Sequence, residues 1–229
     1  MKLTKETIAT LKNFSAINPG IILKKGNVLI TKNMTNVVYG EATLNQELEH
    51  EIGIYDLNSF LGILNLVGDE ADITVDNRTG NIRVSNDRLK INYPGASAAA
   101  IVSPKGRVTP PASDVDYELS NDDLKQLMKM SNQLKVDRLE FLPIDGRLMI
   151  KGWEEIDKNN PNEMFCLDMG EYAGTADFHF FIRKDNMKLV ATDFGDYKLS
   201  FTRRKAVWLA SETVSYMIAC DLDSSYTDS

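Results

Sequence analysis

Hydrophobic side chains recur with helical spacing near the start of the chain. Ile8, Leu11 and Phe14 form an apolar stripe at intervals of three residues, and Thr4 stands where an N-capping hydroxyl is expected. The pattern predicts an amphipathic helix over residues 4–17. The Asn-Pro-Gly sequence that follows is typical of a helix end.

A second helix and several strands follow. Asp56 is the expected cap of a helix over residues 56–67, whose apolar positions repeat every three or four residues. Apolar and polar residues instead alternate in short runs before and after it, which is typical of strands. These runs fall within residues 21–52, 72–75, 81–84 and 89–93.

The pattern of the first half recurs in the second. Residues of matching type stand at a constant offset of 116: Leu3, Thr4, Ile8, Leu11 and Ser15 against Leu119, Ser120, Leu124, Leu127 and Ser131. A later set stands at an offset of 128: Ile54, Asn58 and Leu61 against Ile182, Asn186 and Leu189. Two matches in the same order indicate an internal duplication.

Residues 94–114 separate the two halves. They hold four of the seven prolines and many small residues, a composition typical of a connector. We therefore predict two similar domains, residues 1–108 and 117–229, with residues 109–116 as the end of the connector.

The composition excludes several classes of protein. With 229 residues and a hydrophobic fraction of 43%, the chain can bury a core, and no apolar run approaches the roughly 18 residues of a membrane helix. Charged residues among the first six positions argue against a secretory signal, so we expect the protein to stay inside the cell. Two cysteines and two histidines offer little material for a zinc site or a Cys/His or Ser/His catalytic pair.

The net charge is −7, yet the lysines are not evenly spread. In three of the four predicted helices, paired lysines lie on the face away from the core. The pairs are Lys5 and Lys12, Lys125 and Lys129, and Lys184 and Lys188 in a short helix near 184–190. One pair alone is typical of an ordinary solvated helix face. Three pairs on equivalent elements favour a surface that attracts phosphate groups without reading bases.

Several strings of the chain resemble a known family. They are residues 1–7, residues 54–61, residues 123–127, and residues 186–188 with Tyr197 and Lys198. These strings are similar to the DNA polymerase sliding clamps of T-even-type phages, and the resemblance extends over essentially the whole chain.

The resemblance implies an α+β fold of two similar clamp domains, each with antiparallel sheets outside and two helices inside. It implies that three subunits close into a ring around double-stranded DNA, with no catalytic activity and no cofactor. Such a ring tethers the DNA polymerase, is loaded by an ATP-driven clamp loader, and in relatives also engages late transcription factors. The implied location is the cytoplasm of an infected bacterial host.

The resemblance also assigns roles to single residues. Lys5, Lys12 and Lys188 match basic positions of the family, and Lys129 stands where an arginine is expected. Asn132 departs from the family pattern, which has a basic residue there.

Two further expectations concern partners. The polymerase's C-terminal tail is expected in an apolar pocket near the connector, where Ile101, Val102 and Val108 are candidates. The alternative is that these three residues only pin the connector to the core. Ring closure is expected through edge strands around residues 89–93 and 164–169, unless these are ordinary internal strands.

A metal-dependent nucleic-acid-processing enzyme is the alternative function. Asp221 and Asp223, or the acidic run at residues 69–72, could hold a divalent ion. Such short clusters are more often solvated surface, and we expect no metal site. The basic run at residues 203–205 is either a turn with solvated charges or a further phosphate contact. No phosphate-binding loop sequence is present, so nucleotide hydrolysis would belong to a partner.

Overall fold

The computed structural model describes residues 1–76, 78–156 and 161–228. These residues form two compact units, Met1–Val108 and Thr109–Ser229. In this part of the chain, no helix is long and apolar enough to cross a membrane.

In its described residues, the first unit contains two α-helices, seven strands and one short 3-10 helix, Ala98–Ala100. The α-helices and strands are α1 (Lys5–Ile17), β1 (Ile21–Leu23), β2 (Gly26–Lys32), β3 (Val38–Leu48), β4 (Ile52–Ile54), α2 (Leu57–Val67), β5 (Asp72–Val75), β6 (Ile82–Ser85) and β7 (Lys90–Tyr93). Antiparallel pairing joins β1 to β4, β2 to β3, and β5, β6 and β7 in that order. The two predicted helices and the predicted strand runs are confirmed.

The second unit begins with an additional strand. Its elements are β8 (Val115–Leu119), α3 (Asn121–Gln133), β9 (Arg138–Ile144), β10 (Arg147–Glu154), β11 (Asn162–Glu171), β12 (Asp177–Arg183), α4 (Lys184–Met187), β13 (Tyr197–Thr202), β14 (Ala206–Ala210), β15 (Val214–Ala219) and β16 (Ser225–Thr227). One antiparallel sheet has the order β11-β10-β9-β12-β16. Strands β8, β13, β14 and β15 also pair antiparallel, in that order.

The two units repeat one order of elements and one set of strand pairs. The pairs β1–β4 and β2–β3 of the first unit correspond to β9–β12 and β10–β11 of the second, and β5-β6-β7 corresponds to β13-β14-β15. Helix α1 or α3 precedes these strands, and α2 or α4 stands before the last three. The duplication inferred from sequence is therefore confirmed, with β8 and β16 as additional strands of the second unit.

Helix α1 packs closely on β3 and on α2. Leu11 and Phe14 are fully buried there. A Cβ atom on Gly40, in β3, would lie 3.2 Å from both Phe14 and Ile17. Glycine at this position therefore allows the helix and the strand to approach each other.

Strand β7 lies at the edge of the three-stranded sheet, and β11 lies at the edge of the five-stranded sheet. The Asn86 N–H donates to the Leu89 carbonyl at 2.9 Å, which sets the hydrogen-bonded register of β6 and β7. Bonded and non-bonded pairs alternate in antiparallel strands. The backbone groups of Lys90 and Asn92 therefore point away from β6, toward the open side of the sheet.

Candidate nucleic-acid interface

Helix α1 holds Lys5 and Lys12 on its solvent face. The helix begins after Thr4, whose hydroxyl accepts a hydrogen bond from the Thr7 N–H at 3.2 Å. Its buried residues are Thr7, Thr10, Leu11, Phe14 and Ile17. At about 100° per residue, both lysines stand roughly 170° from the centre of this buried face. They are accordingly exposed.

Ile8 departs from the predicted apolar stripe, because it is only half-buried. The buried face is turned toward two threonines instead. The Thr7 hydroxyl donates to Gln46 Oε1 at 2.8 Å, and the Thr10 hydroxyl donates to the Glu6 carbonyl at 3.0 Å. Hydroxyl groups with such partners can be buried at little cost, and a stripe read from apolar residues alone misses them.

Helices α1 and α2 run antiparallel and enclose a groove on their solvent side. The Leu57 N–H donates to the Pro19 carbonyl at 2.7 Å, where α1 ends and α2 begins. At the other end, Lys5 Nζ lies 3.6 Å from Asp69 Oδ2. The groove has a volume of about 610 Å³. Its lining includes Lys5, Ile8 and Lys12 of α1 and Asn58, Gly62 and Asn65 of α2.

Helix α3 holds Lys125 and Lys129 in exposed positions. The Asp123 N–H donates to the Ser120 hydroxyl at 3.1 Å, so Ser120 caps this helix as its sequence match to Thr4 predicts. The buried residues are Leu124, Leu127, Met128 and Ser131. Lys129 stands about 150° from the centre of this face and Lys125 about 110°. Lys129 therefore points more directly away from the core.

The spacing of the apolar residues Leu124, Leu127, Met128 and Leu134 predicts one buried stripe, and this prediction is wrong for Leu134. Its exposure is 37%. The helix ends at Gln133, and the backbone then takes a left-handed conformation at Lys135, with φ of 53°. Val136, which follows this turn, is fully buried instead.

The two lysine-bearing helices differ in rotation about their axes. Their capping residues and helix bounds correspond at an offset of 116. Their buried faces correspond at an offset of 117: Thr7, Thr10, Leu11 and Phe14 against Leu124, Leu127, Met128 and Ser131. Helix α3 is thus turned by about one residue, or roughly 100°. Relative to the buried face of its own helix, Lys129 points in the same direction as Lys12. The residue of α3 that points in the same direction as Lys5 is Asp122.

The predicted helix near residues 184–190 is a single turn, α4. The chain then tightens, because the Leu189 N–H donates to the Asn186 carbonyl at 3.2 Å, three residues back. Lys184 is half-buried. Lys188 Nζ lies 2.9 Å from Asp185 Oδ1, and this hydrogen bond lowers the pKa of the Asp185 carboxyl. Lys184 and Lys188 therefore do not form two free cations on one helix face.

Ile101 is buried, with 8% exposure. A Cβ on Gly53 would lie 3.3 Å from the Ile101 side chain, so this side chain packs closely against β4. The neighbouring Val102 is half-buried, and its carbonyl accepts a hydrogen bond from Asn18 Nδ2 at 2.7 Å. These contacts favour the interpretation that this part of the connector is pinned to the core.

The end of the connector is held to β3. The Val108 N–H donates to the Tyr39 hydroxyl at 3.4 Å, and Tyr39 donates to the buried Glu41 carboxylate at 2.7 Å. Burial raises the pKa of Tyr39, which keeps its hydroxyl a donor. Arg107 Nε donates to the same carboxylate at 2.9 Å. Val108 itself is half-buried.

The acidic residues near the C-terminus are engaged in ion pairs. Arg138 Nη1 lies 2.6 Å from Asp223 Oδ2, and Arg183 Nε lies 2.9 Å from Asp221 Oδ2. Burial raises the pKa of the Asp221 carboxyl, and the two arginines oppose this shift. Among the described residues, no group of three or more His, Cys, Asp or Glu is placed to hold a metal ion. The cationic partners make this cluster a poor metal site.

Arg203 is also engaged within the protein. Its Nε lies 2.7 Å from Asp114 Oδ1, and its Nη1 lies 2.9 Å from Asp228 Oδ2. Lys205 has a left-handed backbone, with φ of 62°, and its ammonium donates to the Leu222 carbonyl. These contacts favour a structural turn over a phosphate contact for this basic run.

The repeated units, their antiparallel sheets and the lysine-bearing helices define a processivity-clamp fold. PCNA from Entamoeba histolytica is similar, with a TM-score of 0.68 at 12% identity over 94% of each chain. PCNA from Thermococcus kodakaraensis gives 0.66 at 16% identity, over 95% of this chain and 96% of that one. At these identities the likeness shows the fold.

The sequence comparisons identify the family. The model of the DNA polymerase processivity factor matches residues 4–103, and the model of the gp45 sliding clamp, C terminal, matches residues 116–222. The sliding clamp of Escherichia phage RB69 is 35% identical and that of Enterobacteria phage T4 is 34% identical, each over 99% of both chains. The chain belongs to the sliding-clamp family of DNA polymerase processivity factors, and the resemblance drawn from its sequence is confirmed.

Proposed function

We propose that three copies of this chain close into a ring around double-stranded DNA and tether a DNA polymerase, without catalysis of their own. The observation that carries this proposal is the exposure of Lys5, Lys12, Lys125 and Lys129 on equivalent helices of the two units. In such a ring these helices line the channel. Lysines attract phosphates without reading sequence, as a clamp that must slide requires.

Lys184 and Lys188 also belong to the proposed channel surface, with a smaller contribution. Lys184 is half-buried, and Asp185 partly offsets the charge of Lys188. The channel would therefore draw most of its positive potential from α1 and α3. In this proposal the closed ring, rather than electrostatic attraction, keeps the protein on the DNA. The modest positive charge is therefore sufficient for sliding.

Ring closure is proposed to join β7 of one subunit to β11 of the next. Both strands are edges, and the backbone groups of Lys90 and Asn92 point outward from β7. An interface between two different edges is head-to-tail. In a closed ring, every β7 edge pairs with a β11 edge of the neighbouring subunit, so all of these edges are covered.

The polymerase's C-terminal tail is proposed to dock beside the connector. One similar solved structure is PCNA from A. fulgidus with the C-terminal region of FEN-1 bound. In this chain Val102 and Val108 are half-buried and would contact such a tail, whereas Ile101 would support them from the core. We also propose loading by an ATP-driven clamp loader, contact with late transcription factors, and action in the cytoplasm of an infected bacterial host.

Primer extension on a primed circular template tests the function. With the cognate polymerase, loader and ATP, we expect this protein to increase product length under conditions of single polymerase encounters. Unchanged product length would overturn the proposal. Light scattering tests the assembly separately, since a trimer has three times the 25.7 kDa subunit mass. A subunit-sized mass at high concentration would contradict the ring.

A further inference from the structure

Helix α2 faces the lysines of α1 with uncharged residues. Asn58, Gly62 and Asn65 are exposed and line the groove between the helices. Within residues 1–76, 78–156 and 161–228, neither asparagine side chain has a hydrogen-bond partner. Their amide groups are therefore free to donate to a ligand in the groove.

The antiparallel arrangement sets Lys12 opposite the middle of α2. The ends of the two helices are fixed by the contact of Leu57 with Pro19 and by the approach of Lys5 to Asp69. Lys12 lies midway between Lys5 and Pro19, so equal rise per residue places it level with Ile63, the direct neighbour of Gly62. Asn58 and Asn65 lie one turn before and one turn after Gly62 on α2.

Packing does not require glycine at position 62. A Cβ atom there would meet nothing within 4 Å, and the residue lies inside a regular helix. Glycine in a helix interior is destabilising relative to alanine. The missing side chain leaves open the part of the groove that Gly62 lines together with Lys12.

We propose that Lys12, Asn58, Gly62 and Asn65 form a site for a phosphate group of the encircled DNA backbone. Lys12 supplies the charge, the asparagine amides donate hydrogen bonds to phosphate oxygens, and Gly62 provides the space. The inference rests on the proposed function, because the ring is what brings the duplex to this groove. Among the described residues of the second unit, the counterpart of α2 is the single turn α4, which ends at Met187, so an equivalent site does not form.

Sliding of loaded rings on stretched duplex DNA tests the site. We expect Gly62→Ala to increase the one-dimensional diffusion coefficient at least about twofold. The added methyl group would take the space proposed for the phosphate, so the hydrogen bonds to its oxygens would be lost. We expect the same variant to raise Tm by about 2–4 °C, since alanine favours the helix. A purely structural role of Gly62 predicts no change in sliding. Ser59→Ala, in the same helix but outside the groove lining, is the matched control for helix propensity.

The dependence of sliding on salt concentration distinguishes the charged contact of Lys12 from the neutral contacts of the two asparagines. Asn58→Ala and Asn65→Ala should speed sliding without changing its dependence on ionic strength, because a neutral donor releases no counterion. Lys12→Ala should speed sliding and weaken that dependence. If Lys12→Ala behaves in this way while Gly62→Ala and both asparagine variants slide like the wild type, the phosphate site is overturned and the channel surface stands. If Lys12→Ala is also unchanged, the proposed channel surface fails with it.

Discussion

Gln46 Oε1, on β3, accepts a hydrogen bond from the backbone N–H of Thr4 at 2.6 Å. The same oxygen accepts from the Thr7 hydroxyl at 2.8 Å, and Gln46 Nε2 donates to the Lys2 carbonyl at 3.0 Å. One side chain from a neighbouring strand therefore fixes the first turn of the helix that carries Lys5.

Gln46→Ala should destabilise the protein by about 1–3 kcal/mol, because it leaves the buried Thr7 hydroxyl and a backbone N–H without their acceptor. Denaturant unfolding measures this change. Gln46→Glu retains the acceptor and loses the donor to Lys2, so we expect an intermediate loss. Equal stability of Gln46→Ala and wild type would show that water replaces these bonds without cost.

The double variant Lys12→Glu, Lys129→Glu should lower the amount of ring retained on nicked circular DNA several-fold and leave the trimer intact. The two residues are the outward lysines of equivalent helices, so reversing them places repulsion against the phosphates. Gel filtration of loaded complexes and light scattering measure the two effects. Lys24→Glu with Lys105→Glu makes the same charge change away from the helices and should retain wild-type loading. Unchanged retention of the first variant would remove the channel assignment.

Asn92→Pro should dissociate the proposed ring. Proline removes the N–H that points away from β6, so the proposed ladder to the next subunit loses a bond while the β6–β7 pairs are kept. We expect the mass in light scattering to fall toward 25.7 kDa at micromolar concentration. Asn92→Ala keeps the N–H and serves as the control. A Pro variant that remains trimeric would place the interface elsewhere.

The two cysteines should differ sharply in reactivity. Cys166 is exposed on β11, whereas Cys220 is buried, and burial raises the pKa of its thiol to about 12. Because the thiolate is the reactive form, a maleimide at pH 8 should label one site in the native protein and two after unfolding. Cys166→Ser should abolish native labelling. Two labels on the native wild type would contradict the burial of Cys220.

The raised pKa of the Cys220 thiol also makes the stability of the protein depend on pH. The pKa of Cys220 is higher in the folded state than its ordinary value of 9.0. The contribution of the Cys220 thiol to the free energy of unfolding is therefore complete below about pH 9. It is lost as the pH rises toward 12, because the thiol releases its proton at a lower pH in the unfolded chain than in the folded protein. Cys220→Ala should reduce the loss of stability over this alkaline range.

Local signals were enough to predict the helix starts. Thr4, Asp56 and Ser120 act as caps in the structure because a capping side chain bonds to the backbone within its own turn. The exposure of the lysines on α1 and α3 followed from helical geometry alone.

What the sequence did not predict depends on contacts between distant segments. The burial of Thr7 requires Gln46, which lies 39 residues away. The exposure of Leu134 accompanies the left-handed backbone at Lys135, and the single turn of α4 accompanies the tighter bond from Leu189 to Asn186. The helical period of the sequence encodes neither feature. The groove opposite Gly62 appears only when α1 and α2 are brought side by side.

The one-residue difference in rotation between α1 and α3 limits how roles can be transferred between the halves of the chain. A gap-free alignment pairs Lys12 with Met128, a core residue, although Lys129 shares its orientation. The position that shares the orientation of Lys5 holds an acid, Asp122. If three copies close into the proposed ring, we expect the charge of its channel to repeat three times per circuit. A DNA strand that turns in the channel would then meet strong and weak attraction in alternation.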